Sequence, residues 1–430
     1  MPNKLRSIIL AAGKGTRMKS DLPKVLHPIF AKPLLGYVID AVNNTGFVDE
    51  NYIIVGHKAE LVEQYVSKNY KNAKCILQEP QLGTGHAVNQ AYEDLKSFDG
   101  EVIILCGDAP LITSETITKF VEAHREHSSS LTVMSAIFEN PTNYGRIVRG
   151  QDGGLKAIVE EKDATQEEKA IKEINAGVYC LDWKKISPAF LNLQCNNAQG
   201  EYYLTDIVSW AVNEGLKTQA FVLENNEEIF GINSKAHLAE ATKILNTKTI
   251  NQLLEDGVSI VDPASAFISP ETTIEADTII FPNVYIAGKN IIGKNCKIGP
   301  FAQIRDGAII GDNVRIGNFV EIKKSVIKDN TNVSHLSYIG DSELGNKVNI
   351  GAGTITANYN PITKEKSKTI IKDGANTGSN SVLIAPVTIE ESASIAAGSV
   401  ITKDVESRAL AITRSPLKII SNWVKSKTTK

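Results

Sequence analysis

The chain has 430 residues, 42% of them hydrophobic and 22% charged, with a net charge of −3. That length exceeds what one ordinary core organises, so two or more domains are expected in a globular chain. The near-neutral charge leaves no footprint for nucleic acid, no apolar run reaches the roughly 18–20 residues of a membrane span, and five scattered cysteines point to free thiols in a reducing cytoplasm.

The first apolar run, Ser7-Ile8-Ile9-Leu10, is cut short by Gly13, Lys14 and Arg17, which argues against a signal peptide. Over residues 1–232 apolar strands alternate with amphipathic helices, the pattern of a Rossmann-like α/β domain with a mostly parallel sheet. Strands are expected at 7–11, 52–55, 102–106 and 131–136, and helices at 33–43, 59–67, 84–95 and 114–127. Shorter spacings at 146–148, 155–160 and 174–179 predict a small antiparallel insertion beside that sheet. Residues 234–254 lack Gly and Pro and carry Leu238, Ala241, Ile244, Leu245 and Ile250 at helical spacing, with Ser234 available as N-cap. A linker helix over 233–257 follows, ended by Gly257.

From Ile268 to Ile322 an aliphatic residue returns at every sixth position, through Ile280, Ile298 and Ile316. After five-residue steps to Ile327 and Leu344 the period resumes and reaches Ile401. It fits neither a helix nor simple strand alternation; it is the hexapeptide signature of a parallel β-helix, expected over 258–415. Residues 356–368 break the period and predict a loop thrown out of one coil. The basic tail 416–430, with Trp423, is expected to be a surface helix or disordered.

Two regions carry chemistry. Leu10-Ala11-Ala12-Gly13-Lys14-Gly15 follows the first strand, where small residues let backbone N–H groups approach a phosphate or a base. It lacks the third Gly of a dinucleotide fingerprint, and Lys14 is followed by Gly rather than the Ser or Thr of a P-loop. Lys24 adds a second cation nearby. Asp108 follows an apolar strand, where open α/β sheets bind ligands, and is a natural Mg²⁺ ligand beside phosphates. Among the hexads, Arg305, Lys323, His335, Tyr338, Asn349, Asn358 and Tyr359 interrupt the aliphatic pattern, although a β-helix alone is often an inert scaffold.

LAAGKGTRM, LPK, QLGTGHA, GDAPL, YGRI, IVEEKDAT, EINAG and GEYYLTD resemble the motifs of sugar-1-phosphate nucleotidyltransferases. With the hexads added, the chain from about residue 7 to Pro416 resembles the bacterial bifunctional N-acetylglucosamine-1-phosphate uridylyltransferase/glucosamine-1-phosphate acetyltransferase family. The resemblance implies that Leu10, Ala11, Ala12 and Gly13 hold the uracil and nucleotide, with Gln78, Gly83 and Thr84 completing the base site. Arg17 and Lys24 would neutralise the triphosphate, and Asp108 and Asn233 would hold Mg²⁺. Gly145, Glu160 and Asn175 would bind the N-acetylglucosamine moiety, and Cys106 and Gly107 would belong with Asp108 to the uridylyl and sugar-nucleotide binding set.

In the second half the resemblance makes His335 the general base on glucosamine 1-phosphate. Arg305 and Lys323 would grip the sugar phosphate, with Tyr338, Asn349, Asn358 and Tyr359 shaping the site. Ala352, Ser379, Ala397 and Arg414 would contact acetyl-CoA. UTP and acetyl-CoA as co-substrates, a left-handed coil and a homotrimer are implied in the same way. Cys106 stands where the family commonly has Tyr, Ala357 where Cys often precedes Asn-Tyr, and Asn360-Pro361 replaces Asp-Gly. The competing reading keeps only nucleotidyl transfer and makes the β-helix an oligomerisation or regulatory scaffold.

Overall fold

The structure, a computed structural model, describes residues 4–421, 423 and 424, so the end of the basic tail lies outside the described residues. Its contacts divide the chain into two compact units, 1–244 and 245–430.

The first unit is an α/β fold. In chain order it carries β1 (Leu5–Leu10), α1 (Leu34–Asn43), β2 (Val48–Val55), α2 (Ala59–Asn69), β3 (Ala73–Leu77), α3 (Thr84–Asn89), β4 (Glu101–Cys106), α4 (Ser114–Glu126) and β5 (Leu131–Ile137). Then come β6 (Arg146–Arg149), β7 (Leu155–Val159), β8 (Glu173–Asp182), α5 (Trp183–Phe190), α6 (Asp206–Asn213) and β9 (Thr218–Val222). The main sheet runs β9-β5-β8-β4-β1-β2-β3. Every strand along it is parallel to its fellows except β8, antiparallel to β4 and β5. Successive residues point to opposite faces of a strand, so Ile9 joins a core under α1, α2 and α4 while Ile8 joins one under α3, α5 and α6. A sheet covered on both faces reads as continuous apolar runs such as IIL and VIIL.

Two expectations need correction. Residues 174–179 are not part of an insertion beside the sheet: β8 is one ten-residue strand whose first part pairs with β6 and whose second part sits centrally between β4 and β5. A smaller antiparallel pair, β6 with β7, remains. The helix expected over 84–95 is broken after Asn89 and resumes at Tyr92–Leu95. The described part of the tail beyond residue 411 contains no helix or strand.

Helix α7 (Lys235–Glu255) starts where expected: the Ser234 hydroxyl accepts the His237 N–H at 3.2 Å, an N-cap bond. Beyond it the hexads coil as a left-handed parallel β-helix whose short strands stack into three sheets. Each strand turns one residue out and one in, so Ile280, Ile298, Ile304 and Ile316 are fully buried in a single aliphatic column. Stacked neighbours are eighteen residues apart at Ile280, Ile298 and Ile316, then seventeen at Val333 and Ile350, where the five-residue steps fall. From Ile350 to Thr377 the separation is twenty-seven, and the surplus is the loop closed by the Tyr359–Lys366 bridge. Among the described residues no helix is long and apolar enough to cross a membrane.

Candidate functional sites

Strand β1 delivers the chain into a loop without regular structure over 11–15, anchored by the Ala11 N–H on the Ile54 carbonyl at 2.8 Å. Gly15 has φ +59°, and a Cβ there would lie 2.7 Å from Lys24 Cβ, so glycine lets the loop pass directly over that lysine. The Ala12 carbonyl accepts from Gln81 Nε2 at 2.8 Å, which leaves Gly13 and Lys14 exposed. Buried Gln78 donates to the Gly83 carbonyl at 3.0 Å and faces His86 Nδ1 at 3.1 Å. Thr84 opens α3, and its hydroxyl accepts the Leu204 N–H at 3.1 Å. Of these, Lys14, Gln78 and Gln81 line a cleft of about 680 Å³, with Gly56 among its other walls. Leu10 to Gly13 and the 78–84 segment are thus brought together. Arg17 stands exposed on the short turn that follows the loop.

Lys24 is the centre of the charged part. Its ammonium is ion-paired with the Asp108 carboxylate and donates to Asn233 Oδ1 at 3.1 Å. Asp108 follows β4 at its carboxyl end, where the Gly107 N–H is held by the Leu10 carbonyl at 2.9 Å. The segment bearing Asn233 is drawn in by the Ile232 N–H on the Asp108 carbonyl, also 2.9 Å. One carboxylate and one amide oxygen therefore converge on a single cation. That donor set fits Mg²⁺, which binds through one or two protein oxygens plus waters and substrate phosphates. Among the described residues no group of three or more His, Cys, Asp or Glu forms a denser metal cluster.

A neighbouring cluster is polar and part-buried. The Gly145 carbonyl accepts the Asn175 N–H at 2.8 Å, and a Cβ on Gly145 would reach within 3.5 Å of the Glu160 carboxylate. Burial raises the Glu160 pKa; a hydrogen bond from the Thr205 hydroxyl at 3.3 Å opposes it. Asn175 donates to Tyr179 OH at 2.8 Å. Cys106 points its thiol at the Gly177 carbonyl, and burial, with the Asp108 charge, pushes its pKa up to about 12. Sequence reasoning missed Gln81 and Thr205, each of which acts through one hydrogen bond to a distant residue, and Tyr179, whose partner Asn175 is brought onto it by the irregularity within β8.

On the β-helix His335 is exposed and ends its strand beside a corner; its Nδ1 lies 2.7 Å from Asn318 Oδ1. From His335 a ladder descends that corner: Gly353 N–H to His335 O, Asn380 N–H to Ala352 O, Gly398 N–H to Ser379 O, and Arg414 Nη1 to Ala397 O at 3.0 Å. Ala352, Ser379, Ala397 and Arg414 therefore form one column leading away from His335. Tyr338 lies just across the corner. At the far end of Tyr338's strand stand Arg305, paired with Glu321 at 2.9 Å, and Lys323. The Lys323 pKa is lowered, chiefly by the close approach of the Lys366 ammonium, then by desolvation and the charge of Arg305. Lys366 is thus a third cation that sequence reasoning did not single out. Three crowded cations favour an anion such as a sugar phosphate. Asn358 donates to Asp341 beside this cluster, and exposed Tyr359 opens the loop carrying Lys366. Asn349 sits three residues before Ala352, stacked on Asn332 rather than on His335.

Residues 6–236 match the nucleotidyl transferase family model, 291–324 a bacterial transferase hexapeptide model and 368–403 a hexapeptide repeat model of succinyl-transferase. The whole chain is similar to proteins named bifunctional protein GlmU. That of Acetivibrio thermocellus is 44% identical over 98% of this chain and 97% of its own length. Those of Geobacillus thermodenitrificans, 44% identical over 97% of each chain, and Caldanaerobacter subterraneus subsp. tengcongensis, 45% over 98% of each, are alike in extent.

Proposed function

The chain belongs to the bifunctional GlmU family, a nucleotidyltransferase joined to a hexapeptide acetyltransferase, and from that premise we propose its two reactions in full. Acetyl-CoA acetylates glucosamine 1-phosphate; UMP then passes from UTP to N-acetylglucosamine 1-phosphate with release of pyrophosphate, in the cytoplasm.

In the nucleotidyl site the attacking phosphate oxygen is already anionic near neutral pH, so no general base is needed. Catalysis rests on in-line positioning and on cations that offset charge at the α-phosphate. Leu10–Gly13, Gln78, Gly83 and Thr84 orient the base; Gly145, Glu160 and Asn175 orient the sugar; Arg17 and Lys24 face the triphosphate. Asp108 and Asn233 are the residues that hold Mg²⁺, which when bound offsets phosphate charge. The observation carrying this half is the meeting of Asp108 and Asn233 on one ammonium.

In the acetyl site His335 accepts a proton from the substrate amine as the new C–N bond forms and the thioester C–S bond breaks, releasing CoA thiolate. Arg305, Lys323 and Lys366 take the sugar phosphate, and the column from Ala352 to Arg414 takes acetyl-CoA. A homotrimer is supported by an exposed apolar ridge: the Phe301 and Phe319 rings stack at 5.3 Å, with Leu336 on the next coil.

The test is thiol release from acetyl-CoA with glucosamine 1-phosphate, beside pyrophosphate release from UTP with N-acetylglucosamine 1-phosphate. His335→Ala should lose the first and keep the second, and Asp108→Asn the reverse. A wild type that releases pyrophosphate but no thiol would leave the β-helix a scaffold.

A further inference from the structure

The sheet that carries His335 is built almost wholly from two-residue strands. Its two exceptions are adjacent: Arg315–Asn318 and Asn332–His335, each four residues long. The extension adds one rung to the ladder, in which Asn318 pairs with His335. It depends on a close approach. A Cβ at Gly317 would lie 1.9 Å from the Ser334 carbonyl oxygen, so only glycine lets the two coils close at this level. The Leu336 N–H then ties the Asn318 carbonyl at 3.0 Å, and the Asn318 side chain meets His335 Nδ1 at 2.7 Å.

We propose that Asn318 is a positioning residue that holds His335 as the Nδ1–H tautomer, leaving Nε2 as the basic nitrogen, with Gly317 as the clearance that makes the contact. The side-chain oxygen of Asn318 faces Nδ1 and can only accept, so the ring proton belongs on Nδ1. A reversed amide would donate to Nδ1, put the proton on Nε2 and disable the base. A neutral acceptor fixes the ring without bringing a second charge to an exposed site. The inference rests on the reading of His335 as the acetyl-transfer base.

The experiment uses the full chain labelled with ¹⁵N-histidine, with His335→Gln to assign the resonance. Wild type should show a protonated Nδ1 and a bare Nε2, and Asn318→Leu, a near-isostere without an acceptor, a mixture of tautomers. In Asn318→Leu, kcat for thiol release should fall about 10- to 100-fold with KM for both substrates within about twofold and pyrophosphate release unchanged. Asn318→Asp, which keeps an acceptor oxygen, should recover most of kcat when assayed above the histidine titration range. A proton on Nε2 in wild type, an undiminished kcat in Asn318→Leu, or an Asn318→Asp as slow as Asn318→Leu would overturn the proposal. Undiminished thiol release in His335→Ala would instead overturn the base assignment and the catalytic claim with it, while the nitrogen shifts still judge the tautomer.

Discussion

Lys24 Nζ lies between Asp108 and Asn233, a part-buried ammonium held by the two oxygens proposed above as the Mg²⁺ ligands. Removing it takes away a preorganised charge, so Lys24→Met should lower kcat/KM for UTP by about 10²- to 10³-fold and leave thiol release intact, read from paired pyrophosphate and thiol assays. Glu160 makes a pH prediction. Its folded pKa is raised by burial, so below the ordinary glutamate range both folded and unfolded states are protonated and no penalty arises. As pH rises, the unfolded state ionises first and stability falls. Glu160→Gln should therefore match wild type at acid pH and melt higher than wild type near neutrality; equal melting points at every pH would refute it. At this scale the sequence was most legible where residue type announces chemistry, as with Asp108 after a strand or His335 among hexads. Gln81, Asn318, Tyr179 and Lys366 stayed hidden, because their roles come from partners 69, 17, 4 and 43 positions away, which only the fold brings close.

Helix α7 serves the β-helix as a substitute coil. Buried Asn246 donates to the Ala266 carbonyl at 2.9 Å and accepts the Ile268 N–H at 2.9 Å, two groups of the first coil with no preceding coil to pair with. Ile250 and Leu253 continue the aliphatic column beneath Ile268. Asn246→Ala would strand both backbone groups and should cost about 2–4 kcal/mol of stability in the second unit, seen in denaturant unfolding. A cost below about 0.5 kcal/mol would show that water replaces the side chain. Elements with a sustained signal were predictable: the hexads repeat through most of the second unit, α7 is a long run without Gly or Pro, and the central strands are continuous apolar runs. The sheet edges β3 and β9 were not, since AKCIL and TQAFV are short and half-exposed. β8 misled because its residues read as a short antiparallel run, whereas the strand continues through Tyr179 into the middle of a parallel sheet.

Across the whole molecule, the exposed Phe301–Phe319 ridge bears on assembly. Phe319→Asp places a carboxylate on it without touching the buried column, so sedimentation should show a shift from the proposed trimer toward smaller species. An unchanged trimer would move the interface elsewhere. Thiol release should fall with the trimer, while pyrophosphate release, from residues of the first unit alone, should persist. The coil register carries one more consequence, for how such a protein can change length. Ile280, Ile298 and Ile316 stack eighteen residues apart, so the stretch ahead of the acetyl site is quantised. A whole storey of eighteen can be removed or inserted there with every inward isoleucine still facing inward and the Asn318–His335 rung undisturbed. A one-residue shortening is absorbed at the five-residue steps with Val333 and Ile350 still inward, whereas a larger surplus is expelled as a loop, as the nine extra residues between Ile350 and Thr377 are.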